Sequence, residues 1–118
     1  ATEMKFNEGQ WKDIAELAKK NNTYIFVDAY ATWCGPCKLL KAKTFKEQAV
    51  VEFFNKNFIN VTMDMENGQG EQLAEKWQID AYPTLLFFNP QGKLVKRALG
   101  FMDGKALIAI GKEALAKK

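Results

Sequence analysis

Val27-Asp28-Ala29-Tyr30-Ala31-Thr32-Trp33-Cys34-Gly35-Pro36-Cys37-Lys38 joins a run of β-forming residues to two cysteines separated by two residues. Upstream, Tyr24-Ile25-Phe26 continues the β-forming run. Apolar residues at consecutive positions over 24–30 predict a central strand covered on both faces. Asp28 is its one charged member. Cysteines this close cannot tie distant parts of a fold together. They close a very small loop, where cross-linking stabilises least. The pair therefore calls for a chemical explanation.

A cysteine attacks as its thiolate, and a free thiol with a pKa of about 8.5 is mostly protonated at neutral pH. A strand ending at Ala31-Thr32-Trp33, with a helix beginning inside Cys34-Gly35-Pro36-Cys37, removes that obstacle. Cys34 then stands at a helix N-terminus, where unpaired N–H groups and the helix dipole favour negative charge. Pro36 suits the first turn, since it has no N–H to satisfy and its φ is already helical. Cys37 lies one turn on, within reach of the Cys34 sulfur and more enclosed. This geometry makes Cys34 the attacking thiolate and Cys37 the residue that resolves a mixed disulfide.

Asp28 permits two readings. A carboxyl desolvated among apolar neighbours, six residues before Cys34, would have a raised pKa and could take the Cys37 proton through a water. Alternatively it faces solvent at a strand end. The flanking apolar residues favour burial. A zinc half-site is the main rival for the cysteine pair. Completing it within the chain would need two more Cys or His, and the chain has two cysteines and no histidine. Carboxylates or a second subunit could stand in, and two inert buried cysteines are a further alternative. No metal and no cofactor beyond the Cys34–Cys37 redox pair is expected.

The chain has 118 residues, 47% of them hydrophobic, including 9 Phe, 3 Trp and 3 Tyr. That suits one domain over residues 1–118 with one packed core. The net charge of +3 is small and the basic residues are interspersed with acids, so the clustered face that nucleic acid requires is missing. No apolar run approaches the ~20 residues of a membrane span, so no membrane insertion is expected. No secretory leader pattern opens the chain, which begins at Ala1 rather than Met, so a processed leader stays open.

Residues 8–20 predict an amphipathic helix, with Trp11, Ile14, Ala15 and Ala18 at helical spacing. A helix follows from Cys37 to about Ala42. Thr44 and Glu47 have capping-box spacing ahead of Val50, Val51, Phe53 and Phe54, which predicts a second helical segment to about Asn57. Residues 58–63 read as a strand and 71–77 as a short helix after Gly68 and Gly70. Strands over 84–88 and 93–99 flank the turn Asn89-Pro90-Gln91-Gly92. Asp103 is the expected N-cap of a closing helix over 103–116. Strands alternating with helices, then a hairpin, imply an α/β fold of three layers, α/β/α, around a central mixed sheet.

With these motifs assembled, the sequence resembles the thioredoxin superfamily over residues 11–115. The resemblance rests on the run from Val27 to Lys38, on Tyr82-Pro83-Thr84, and on Gly100 after the last strand. It implies a thioredoxin fold and a cis bond before Pro83. A cis bond would turn the Tyr82 backbone outward to pair with substrate as an added strand. An ordinary trans proline at a strand start is the plainer alternative. It implies a substrate surface made of Trp33, Gly35, Pro36, Tyr82, Pro83 and Gly100. Two departures stand out. Thioredoxins usually carry a kinking proline where this chain has Ala42, and a lysine beside the buried aspartate aligns near Asn60, which would leave Asp28 without its charge partner. Residues 44–50 and 100–103 look more like the C-terminal thioredoxin-like domain of bacterial transmembrane thiol:disulfide interchange proteins, relatives of which occur as free-standing periplasmic thioredoxins.

A histidine between the cysteines would favour the reduced pair and make an oxidant. Gly-Pro is the thioredoxin dipeptide, and thioredoxin sits at about −270 mV against about −120 mV for a strong bacterial oxidant. The expected activity is reduction of protein disulfides. Expected partners are disulfide-containing proteins and an upstream reductase or membrane electron donor, with the chain a monomer in the periplasm, or alternatively in the cytoplasm. The competing readings are a dedicated relay to one partner and a non-catalytic binding module.

Overall fold

The computed structural model describes residues 2–118. Its elements are β1 (Phe6–Asn7), α1 (Trp11–Asn21), β2 (Tyr24–Tyr30), α2 (Gly35–Ala42), a 3-10 turn (Thr44–Lys46), α3 (Gln48–Asn57), β3 (Phe58–Asp64), α4 (Gln69–Lys76), β4 (Thr84–Phe88), β5 (Leu94–Leu99) and α5 (Gly104–Leu115). The strands form one sheet in the order β1-β3-β2-β4-β5. β1, β3 and β2 run parallel, and β4 and β5 are antiparallel. This is the mixed, three-layer α/β/α architecture expected.

β2 lies at the centre, so both its faces are buried, and its residues divide by alternation. Phe26 points to the side of α2, α3 and α5, where Leu40, Val51, Phe54, Phe87 and Leu107 fill one core. The Phe26 ring packs 4.8 Å from Phe54 and 5.1 Å from Phe87. Ile25, Val27 and Ala29 point to the side of α1 and α4, with Ile14, Ala18 and Trp77. There Trp11 contacts Trp77 at 4.9 Å and Phe88 at 4.8 Å. The aromatic residues thus supply a separate cluster for each layer.

Three sequence expectations need correction. α1 begins at Trp11, not at residue 8, because Gln10 is extended. Its start is held from a distance: the Gln69 side chain accepts from the Trp11 N–H (2.7 Å) and donates to the Gly9 carbonyl (2.9 Å). Residues 6 and 7, too few to show alternation, pair with Asn60 and Val61 as an edge strand. Thr44 and Glu47 do not form a capping box. Glu47 is the N-cap of α3 but its side chain makes no capping bond there. The break before α3, expected in place of a proline at Ala42, is present: α2 ends at Ala42 and the 3-10 turn follows. Asp103 does cap α5, accepting from the Ala106 N–H at 2.9 Å.

The strand register builds the site. Ala29 pairs with Thr84, and Thr84 with Leu99. The segments that follow β2, precede β4 and follow β5 are thereby brought to one edge of the sheet.

Candidate active site

At that edge β2 gives way to α2, and Cys34 is the N-cap, extended at φ −82° and ψ 113°. Its sulfur accepts from the Cys37 N–H at 3.1 Å. Gly35 is the first helical residue and Pro36 lies in the first turn, the place expected for it. Cys34 and Cys37 are joined in a disulfide with Cα atoms 5.3 Å apart. Cys37 is not the more enclosed of the two: each cysteine is 2% exposed. Ala31 clusters with the two cysteines, and Tyr30 and Tyr82 pack against that cluster.

Trp33 is 67% exposed. It is nonetheless fixed, its indole N–H donating to Glu66 at 2.8 Å and its ring lying edge-on to Tyr82 at 5.8 Å. Tyr82 leads into Pro83 through a cis peptide bond, as the resemblance implied. The Gly100 N–H donates to the Pro83 carbonyl at 2.9 Å. Gly100 has φ 91°, a conformation that favours glycine. The structure therefore brings Trp33, Gly35, Pro36, Tyr82, Pro83 and Gly100 to the same edge as the cysteines. Glu66 was not legible as part of this surface. It is 33 residues from Trp33, and no local pattern marks the pairing.

Asp28 is completely buried, which excludes the solvent-facing reading. Burial pushes its carboxyl up from 3.8 to about 7. Two neighbours oppose that rise: the Lys41 ammonium and, more weakly, the Thr62 hydroxyl. Thr62 is in register with Asp28 but stops short of a hydrogen bond, so neither carboxyl oxygen has a partner among the described residues. The aligned position, Asn60, is not beside Asp28 in the register. It pairs with Phe26, and its amide donates to the Phe54 carbonyl at 3.1 Å. Asp28 forms no ion pair among the described residues, as the missing lysine implied; the Lys41 ammonium on α2 acts on it only as a nearby charge. Lys41 lies four residues beyond Cys37 with its Nζ 3.9 Å from the centre of the Tyr30 ring. A cleft of about 220 Å³, lined by Tyr30, Ala31, Thr32, Cys37, Lys38 and Lys41, opens onto this side of the pair. Replacing Lys41 with Met should raise the pH at which Asp28 titrates, because the neighbour favouring the ionised form is gone. A carbon-13 NMR titration of the Asp28 carboxyl carbon reads that shift directly.

Residues 11–115 match the family model described as a thioredoxin-like domain. The chain belongs to the thioredoxin-like family. With the Cys34–Cys37 pair seated as above, this thioredoxin-like chain is a thiol–disulfide oxidoreductase. It is 33% identical over 95 residues to the thiol:disulfide interchange protein DsbD of Pasteurella multocida, a match covering 78% of this chain and 16% of that protein. The chain thus spans about one-sixth of the DsbD relatives it matches. It is 36% identical over 99 residues to the thioredoxin of Mycoplasma genitalium, covering 82% of this chain and 87% of that one. Among solved structures, a putative disulphide-isomerase from Bacteroides thetaiotaomicron superposes with a TM-score of 0.85 at 38% identity, covering 100% of this chain and 98% of that one. The oxidised C-terminal domain of Neisseria meningitidis DsbD superposes with a TM-score of 0.72 at 16% identity, a likeness of fold. No helix among the described residues is long and apolar enough to cross a membrane.

Proposed function

We propose that this thioredoxin-like chain reduces protein disulfides. The observation that carries the reading is the Cys34 sulfur at the N-cap of α2, with the Cys37 N–H on it at 3.1 Å. That N–H and the helix dipole favour the Cys34 thiolate. The thiolate attacks one sulfur of the substrate disulfide, the substrate S–S bond breaks, and a mixed disulfide forms with one substrate thiolate released. Cys37 then gives its proton through water to ionised Asp28 and attacks the Cys34 sulfur. The Cys34–Cys37 bond forms, the mixed disulfide breaks and the second substrate thiolate leaves. Two electrons have passed from the cysteine pair to the substrate. Trp33, Tyr82, Pro83 and Gly100, together with Gly35 and Pro36, form the substrate ledge.

The reducing direction is supported by Gly-Pro between the cysteines and by a chain that holds no histidine to favour the reduced pair. Titration of the pair against glutathione or dithiothreitol buffers tests it. A potential near that of thioredoxin, about −270 mV, is expected, and a value above about −180 mV overturns the reading.

The similarity to the DsbD relatives supports an extracytoplasmic site, recharging by a membrane electron donor, and a second reading as a dedicated relay to one partner. Insulin reduction separates general reductase from relay, since a relay is slow on a generic substrate. Fractionation of cells expressing the unprocessed gene tests the compartment.

A further inference from the structure

Thr44 and Glu47, whose spacing suggested a cap for α3, bond instead to the segment after β5. The Thr44 hydroxyl, fully buried, donates to the Met102 carbonyl at 2.7 Å. The Glu47 carboxylate accepts from the Gly104 N–H at 3.0 Å, at the start of α5, where a helix dipole favours a negative group. The fit is close: a Cβ on Gly104 would lie 2.4 Å from the Glu47 carboxylate and 2.8 Å from Val50. The other end of the segment is tied too, since the Gly100 N–H is bonded to the Pro83 carbonyl. Residues 100–104 are therefore gripped at three points. Between the grips Phe101 remains 41% exposed, one residue from the Pro83 contact.

An exposed phenyl ring on a segment immobilised from both sides has a clear physical use. Little side-chain or backbone order is lost when a partner packs against it. We propose that Thr44 and Glu47 are positioning residues for substrate recognition, fixing residues 100–103 so that Phe101 forms an apolar wall beside the Tyr82-Pro83 ledge. The ligand this favours is an extended protein segment with an apolar side chain near its disulfide. A small disulfide touches only the sulfur-bearing edge and does not use the wall. The inference rests on the disulfide-reductase reading and names the substrate feature that the site selects.

The test compares insulin with cystine as oxidant, using dithiothreitol to recharge the pair. Thr44→Val removes the donor at nearly constant shape, and Glu47→Ala removes the acceptor. Each should raise the KM for insulin about fivefold, the equivalent of one lost hydrogen bond of ~1 kcal/mol. Their kcat on insulin and their rate on cystine should stay within about twofold of the parent. Glu47→Gln keeps a carbonyl acceptor and should restore most of the insulin KM. Phe101→Ala changes a side chain that belongs to neither core cluster, and should reproduce the insulin defect. The proposal is overturned if Phe101→Ala leaves the insulin KM unchanged, or if cystine and insulin rates fall together in the Thr44 and Glu47 variants. An unmutated protein that reduces neither substrate instead overturns the reductase reading on which the proposal stands.

Discussion

Cys34→Ser is expected to lower disulfide reduction by at least about a thousandfold, because a serine hydroxyl is neither ionised near neutral pH nor able to form a disulfide. Cys37→Ser should leave the first step intact and stop the second, so the substrate accumulates as a mixed disulfide on Cys34. Peptide mapping of the trapped adduct by mass spectrometry distinguishes the roles. Burial does not, since both cysteines are equally covered. What separates them is that Cys34 is the N-cap and receives the Cys37 N–H, whereas Cys37 lies inside the first turn. An adduct on Cys37 in the Cys34→Ser protein would reverse the assignment. Cellular activity surviving Cys34→Ser would support a binding module instead. Loss of fold cannot masquerade as either outcome. The disulfide closes a loop of about four residues and contributes only ~2 kcal/mol in the chain-entropy model. Reduced parent protein is the control for that contribution.

The parts of the site legible in the sequence are those written in one short stretch. Strand, N-cap cysteine, proline in the first turn and second cysteine follow one another in 24–37, and each has a local physical signature. Asp28 was legible as a charge among apolar neighbours, and its burial follows from β2 being central. Asp103 was legible as a cap because its partner is three residues away. What escaped was set by tertiary contact. The start of α1 is held by Gln69, Trp33 by Glu66, and residues 102–104 by Thr44 and Glu47. The charge that acts on Asp28 comes from Lys41 on α2, four residues beyond Cys37, and not from position 60 on β3, where the family resemblance implied it. The capping-box spacing at Thr44 and Glu47 misled because both side chains had stronger claims across the fold than along the helix.

Asp28→Asn should stabilise the protein at pH 8 by up to about 4 kcal/mol, and this gain should vanish below about pH 4. The sign follows from the raised pKa. In the unfolded chain Asp28 ionises near 3.9, whereas in the fold it ionises at about 7. Below about pH 4 both states hold the proton and the ionisation of Asp28 contributes nothing to the difference. As pH rises from about 4 to about 7 the unfolded chain releases its proton first, and stability is lost at ~1.4 kcal/mol per pH unit. Above about pH 7 both states are ionised and the loss levels off. Asparagine has nearly the same shape and no ionisation, so it removes the slope. Urea unfolding across this range reads the effect, and parallel pH profiles for the two proteins would sink the assignment. The same change should slow resolution of the mixed disulfide by about a hundredfold, the usual scale for a lost general base. In the parent protein that step should accelerate as pH rises through about 7 and Asp28 becomes able to take a proton. In the Asn variant the acceleration should be deferred to the pH at which Cys37 itself ionises. On the proposed mechanism, a carboxyl buried without a hydrogen-bond partner on the strand that leads into the redox pair is kept for its chemistry. Stability and turnover moving in opposite directions on one substitution would be the mark of that reason.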